Sequence, residues 1–199
     1  MKNIIIVGPS RAGKTTLAKR LNQKLNYSVI ITEDIRIAFE EGMPQANIGD
    51  AHGYKTSLDN VTSWLATYIS ALEWRSNFAN GTKYVFDDGQ GYIDLDKMVP
   101  IWENNSPSKD YWKDKYLIIV LTNHNQTAEE LFAKIRKYDT SDDWTSRISD
   151  EELLAHVTGG LEYSRGLYEK FKNYSPLMYD ITHNREEVFD RIVADVKMG

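Results

Sequence analysis

The chain has 199 residues, 41% of them hydrophobic, which suits one domain with a full core and no covalent staples. It has no cysteine, which excludes disulfides, thiolate metal sites and cysteine nucleophiles and fits a reducing cytoplasm. Net charge is −5 with acidic and basic residues interleaved, and no apolar run nears the ~20 residues that cross a bilayer, so neither bulk nucleic-acid binding nor membrane insertion is expected.

Residues 3–16 read Asn-Ile-Ile-Ile-Val-Gly-Pro-Ser-Arg-Ala-Gly-Lys-Thr-Thr, and the apolar run Ile4 to Val7 predicts a buried strand. A chain opening on a core strand is not expected to open on a signal peptide. Gly8 to Thr15 fits G-x-x-x-x-G-K-[ST]. Leu17, Leu21 and Leu25 follow at i, i+4 spacing and predict a helix. Strand, glycine loop and helix are the context of a phosphate-binding loop. Backbone N–H groups in a concave loop, and the positive end of the next helix, hold a polyphosphate. Gly8 and Gly13 admit an approach that a Cβ would block. Lys14 brings a point charge to the β- and γ-phosphates, and Thr15 offers a hydroxyl to Mg²⁺. The expected nucleotide contacts are Gly8, Pro9, Ser10, Arg11, Ala12, Gly13, Lys14, Thr15 and Thr16.

Residues 27–32 (Tyr-Ser-Val-Ile-Ile-Thr) predict a second strand, followed at once by Glu33-Asp34-Ile35-Arg36. Ligands of an open α/β sheet sit beyond the carboxyl ends of its strands, where Asp34 and Arg36 would stand. A carboxylate there accepts the proton of an attacking hydroxyl or holds a metal-bound water, and an arginine clamps substrate or phosphate. The competing reading is an acidic helix start. Residues 37–56 carry Gly42, Pro44, Gly49 and Gly53 and resist assignment. His52 and Tyr54 lie there, and a lone loop histidine is ordinarily just exposed. Thr56-Ser57-Leu58-Asp59 looks like a capping box; Leu58, Val61, Leu65, Tyr68 and Leu72 predict an amphipathic helix to about Phe78. Its Trp64, Trp74 and Arg75 read as core packing ahead of a base-stacking platform.

Residues 83–88 (Lys-Tyr-Val-Phe-Asp-Asp) predict a strand ending in two carboxylates, then Gly89-Gln90-Gly91. An apolar strand closed by aspartate is where a phosphate-loop protein holds Mg²⁺ through water. Strand alternation sends Asp87 and Asp88 to opposite faces, so one of them is expected at the metal. Residues 93–107 predict a short helix and a loop. Residues 116–122 (Tyr-Leu-Ile-Ile-Val-Leu-Thr) are apolar throughout, as in a central parallel strand. Asn123-His124-Asn125-Gln126 follows in place of the Asn-Lys-x-Asp of a guanine-reading loop, which argues against a G protein.

Thr127-Ala128-Glu129-Glu130 and Ser149-Asp150-Glu151-Glu152 are capping boxes. They open helices striped by Leu131, Ile135 and Tyr138, and by Leu154, Val157, Leu161, Tyr168 and Phe171. Between the stripes runs a polar segment with Arg136, Lys137 and Arg147. It predicts a lid at about 136–149 that excludes water and sets cations against a transferring phosphoryl group. Residues 177–182 predict the last strand, and Asn184-Arg185-Glu186-Glu187 a cap for a helix carrying Val188, Ile192 and Val196. The loop with Thr182 and Asn184 again lies at a strand's carboxyl end, a place to rest an adenine.

The chain thus resembles the P-loop small-molecule and nucleotide kinases, the group around adenylate kinase, shikimate kinase and polynucleotide 5′-kinase. The resemblance rests on Gly8–Thr16, Asp34 with Arg36, Asp87-Asp88-Gly89, the lid from Arg136 to Arg147, and Asp180-Ile181-Thr182 with Asn184 and Val188. It implies a three-layer α/β P-loop NTPase fold over residues 1–199, with a mainly parallel five-stranded sheet. A helical substrate-binding insert is expected at about 37–80. It implies ATP and Mg²⁺ as cofactors and transfer of the γ-phosphoryl group to a small-molecule or nucleotide-type acceptor. The expected catalytic set is Lys14, Asp34, Arg36, Arg136 and Arg147; Thr15 with Asp87 or Asp88 is expected at the metal. Two departures bear on the acceptor. Gly160-Leu161 stands where adenylate kinases carry arginine before leucine, and Gly89-Gln90-Gly91 replaces the Asp-Gly-Phe-Pro-Arg of nucleoside monophosphate kinases. Two other readings stay open: a nucleic-acid 5′-end or nucleoside kinase, and a non-catalytic ATP-binding regulatory module.

Overall fold

The computed structural model describes residues 1–42, 62, 65–72, 81–89, 91–93, 114–123 and 125–198. Outside them lie His52, Tyr54, the cap at 56–59, Trp64, Trp74, Arg75, Gln90, most of the 93–107 segment and His124. Five strands form one sheet: Asn3–Val7 (β1), Ser28–Ile31 (β2), Tyr84–Asp88 (β3), Tyr116–Thr122 (β4) and Leu177–Asp180 (β5). Their order is β2-β3-β1-β4-β5, and all four neighbouring pairs are parallel. The five labelled helices are Lys14–Leu25 (α1), Thr32–Gly42 (α2), Ala128–Tyr138 (α3), Asp150–Phe171 (α4) and Arg185–Met198 (α5). No described helix is long and apolar enough to cross a membrane.

Alternation along β1 builds the three layers. Ile4 and Ile6 face α1 and α5, packing with Leu17, Leu21, Phe189 and Ile192. Ile5 and Val7 face the other way, toward Ala66, Ile69 and Leu72 of the helical stretch 65–72 and Leu167 and Phe171 of α4. Every residue of β1 is buried, and each such aliphatic side chain contributes about 1.5–3 kcal/mol. β1 also sets the crevice. Val7 pairs with Asp88 on one side and Val120 on the other, so β1 and β3 end level and β4 runs two residues further, at the carboxyl edge where the crevice lies.

Both capping boxes form: Thr127 with Glu130 opens α3, and Ser149 with Glu152 opens α4. The two helices make a third cluster from Leu131, Ile135, Leu153, Val157 and Leu161. Here the expected stripe shifts. Leu153 is fully buried, whereas Leu154 is 37% exposed, because the contact with α3 follows 153, 157 and 161 at strict i, i+4 spacing.

Candidate functional site

The chain leaves β1 into the phosphate loop at the crevice. A Cβ on Gly8 would stand 2.8 Å from the Leu121 carbonyl oxygen, so only glycine lets the loop pass this close to β4. Gly13 has φ 82 and caps α1; a Cβ there would meet Phe189 at 3.0 Å. Between them the Ala12 N–H donates to the Pro9 carbonyl at 3.2 Å. Gly8 and the buried Ala12 lie behind the cavity wall, while Pro9, Ser10, Arg11, Gly13, Thr15 and Thr16 line it.

Lys14, the first residue of α1, is 8% exposed and lines the same cavity. Its ammonium donates to the carbonyls of Gly8 and Pro9 at 2.9 and 2.8 Å. These take two of its three donors. Burial pulls its pKa below the ordinary lysine value, and the charges of Asp87 and Asp88 oppose that shift. A buried cation folded onto its own loop, with a further donor on a cavity wall, fits a phosphate.

Thr15 donates its hydroxyl to Asp87. Burial raises the Asp87 carboxyl above its ordinary value. The Thr15 hydrogen bond and the Lys14 charge pull it down, and the Asp34 charge adds to the rise. A hydroxyl and a carboxylate side by side are the oxygen ligands Mg²⁺ accepts while keeping phosphate and water in its other positions, so Thr15 and Asp87 fit that cation. Asp88 faces the opposite way and is fully buried. It accepts from the N–H groups of Tyr92 at 2.8 Å and Ile93 at 2.9 Å, and from the Thr32 hydroxyl at 3.2 Å. Its carboxylate is thus committed to the turn after β3 and does not line the cavity.

α2 begins at Thr32, so Asp34 sits in a helical first turn, exposed on the cavity wall beside Glu33. The expectation for Arg36 is corrected. It is buried, its Nε and Nη2 donate to Glu33 at 3.1 and 2.8 Å, and it does not line the cavity. The i, i+3 spacing within one helix brings this pair together.

The lid cations are placed differently from expectation too. Arg136 donates to the carbonyls of Thr145 and Ile148 at 2.6 and 2.9 Å and to Asp150 at 2.8 Å. It ties the 3-10 turn Trp144–Arg147 and the start of α4 back onto α3. Arg147 is exposed, and neither arginine lines the cavity. Arg11 joins the phosphate loop to the segment 139–145, donating to Asp139, to Asp143 at 2.7 Å and to the Thr145 hydroxyl at 2.8 Å.

Beyond β5, Thr182 turns inward and donates from its N–H and hydroxyl to Asp180 at 2.9 and 2.5 Å. Asn184, Ile181 and Arg185 line the cavity; Thr182 does not. The wall also includes groups that sequence reasoning missed: Lys134, Trp144, His156, Gly160 and Tyr163. Trp144 meets His156 edge-on at 4.9 Å, and burial lowers the His156 pKa. The available signal was the second face of α4, where His156, Gly160 and Tyr163 recur at helical spacing beside the apolar stripe. The cavity measures about 1420 Å³. That exceeds the roughly 300–1000 Å³ of a site for one small molecule and leaves room for two substrates.

No protein-family model matches the chain, and no curated protein matches it in sequence. Solved structures do match its fold. A shikimate kinase from Bacteroides thetaiotaomicron superposes with a TM-score of 0.56 at 17% identity, covering 99% of this chain and 97% of that one. A shikimate kinase from Acinetobacter baumannii, in complex with shikimate, gives 0.56 at 15% identity, covering 98% and 90%. A putative kinase from Chloroflexus aurantiacus gives 0.52 at 13% identity, covering 99% and 94%. The chain has the fold of these P-loop kinases.

Proposed function

We propose that the protein is a kinase that transfers the γ-phosphoryl group of ATP·Mg²⁺ to a small acceptor. One observation carries the reading: Lys14, Thr15 and Asp87 converge on one wall of a cavity whose adjoining wall presents Asp34. Lys14 and the loop amides would hold the phosphates, and Thr15 with Asp87 the Mg²⁺. When bound, the cation supplies neutralisation of charge on the transferring group. Asp34, exposed at the head of α2, is placed to orient an acceptor hydroxyl and take its proton. Asn184 and Arg185, beyond β5 at the sheet edge opposite β2, line the cavity along with Trp144 and would receive the nucleobase.

A hydroxyl acceptor is favoured over a monophosphate. Among the described residues, Asp34 stands exposed on the α2 side of the cavity, while Arg36, the cation of the same helix, is paired with Glu33 and does not line it. A sugar, a nucleoside or another small alcohol suits this wall, and one structure of similar fold, the Acinetobacter baumannii shikimate kinase, is in complex with shikimate.

The test is ADP release from ATP·Mg²⁺ across a panel of nucleosides, nucleotides, sugars and short oligonucleotides, with Lys14→Ala as control. Stimulation by one acceptor, lost in the variant, supports the reading. ATP binding without stimulation by any acceptor would favour a regulatory module instead.

A further inference from the structure

Arg11 belongs to the phosphate loop, yet its side chain serves the lid. Its Nη2 donates to Asp139 and to the Thr145 hydroxyl, and its Nη1 to Asp143, residues more than 125 positions away in the chain. Each carboxylate is divided between loop and lid. Asp143 gives Oδ1 to Arg11, and its Oδ2 accepts from the N–H and hydroxyl of Thr140 at 2.9 and 3.0 Å. Asp139 gives Oδ1 to Arg11 and to the Thr145 hydroxyl, and its Oδ2 is buried without a hydrogen-bond partner, 3.8 Å from the Arg136 guanidinium.

The position of Asp139 is unfavourable without that cation. It is the C-cap of α3, its N–H bonded to the Ile135 carbonyl, and its side chain is 6% exposed. A carboxylate at the negative end of a helix is disfavoured, and a buried one more so. Arg11 offsets both. The arginine itself holds φ 63, a left-handed conformation that is uncommon for a non-glycine residue. A strained residue in a ligand loop, with its planar fork spread over two acids, is a feature held in place by function.

We propose that Arg11 is a lid-positioning residue. Its guanidinium fastens the segment 139–147 to the phosphate loop, so that lid and loop move as one unit before any nucleotide arrives. The kinetic consequence rests on the kinase reading above; the latch itself does not. Without Arg11, Asp139 and Asp143 repel each other and the phosphates, and the segment swings out to hydrate them.

The experiment is amide hydrogen exchange on the nucleotide-free protein, read at Thr140, Asp143 and Ser146, with Trp144 quenching as a second readout. Arg11→Ala and Asp143→Asn should each speed exchange at these amides by about tenfold or more, while β1 and β4 stay protected. Arg11→Lys keeps a cation beside both carboxylates and should retain more of the protection than Arg11→Ala does. Asp143→Asn carries the test if Arg11→Ala does not fold. In turnover, loosening the lid should raise KM for ATP more than it lowers kcat. Unchanged exchange in both Arg11→Ala and Asp143→Asn, or an Arg11→Lys protein that exchanges as fast as Arg11→Ala, overturns the proposal. Faster exchange in a protein that turns over no acceptor would keep the latch and sink the kinase reading.

Discussion

Thr15 at the head of α1 and Asp87 near the end of β3 lie 72 residues apart, and the threonine hydroxyl donates directly to the aspartate. The pair forms because β1 and β3 are neighbours in register, Ile6 opposite Asp87. Thr15→Val keeps the shape and removes the oxygen. It should weaken Mg²⁺-dependent nucleotide binding by roughly 10–100-fold, by analogy with lost supporting groups at metal sites. Thermal shifts with ATP, with and without Mg²⁺, read this directly: the Mg²⁺ increment should vanish in the variant.

Asp87 sets a pH dependence of stability. Burial raises its folded carboxyl above the ordinary value of 3.8. A group raised on folding contributes stability that is present below its unfolded pKa and lost as pH rises through its folded one. The nucleotide-free protein should therefore lose stability from this group as pH rises above about 4. Asp87→Asn should flatten that loss and melt higher than the parent at neutral pH, while losing the Mg²⁺ increment. A parallel pH–Tm curve for parent and variant would contradict the assignment.

Lys14 should show the same opposition of stability and function. Its ammonium is buried at a desolvation cost. Lys14→Met should leave the nucleotide-free Tm unchanged or higher. Lys14→Ala should cost about 3 kcal/mol or more in transition-state stabilisation, on the scale of a lost preorganised donor. Calorimetry gives the first and kcat/KM the second.

Leu153 and Leu154 separate helical pattern from tertiary contact. Leu153→Ala removes a fully buried side chain between α3 and α4 and should cost about 2–5 kcal/mol. Leu154→Ala, at a 37% exposed position, should stay within about 0.5 kcal/mol. Denaturant midpoints at constant m-value decide between them.

The parallel sheet, the phosphate loop and both lid capping boxes were legible in the sequence because each is written in residues close together. A loop glycine, a cap and an apolar run act over a few positions, so spacing alone reveals them. The order of strands came from the tertiary structure alone, and the shift of the α4 stripe from Leu154 to Leu153 depends on where α3 lies.

Charged side chains were the least legible. Arg36, Arg136 and Arg147 carry the residue type that phosphate chemistry calls for, yet none lines the cavity. A long, flexible cation takes whichever acceptor the fold brings within reach, and those for Arg36 and Arg136 include Glu33, Asp150 and backbone carbonyls. By itself the sequence determined the sheet, the loop and the placing of Lys14 and Thr15 at the head of the helix after it, since local backbone geometry dictates them. Only the tertiary structure decided that Asp87 and not Asp88 meets Thr15, and that Arg11 reaches the lid. Those outcomes depend on groups far apart in the chain competing for the same hydrogen bonds.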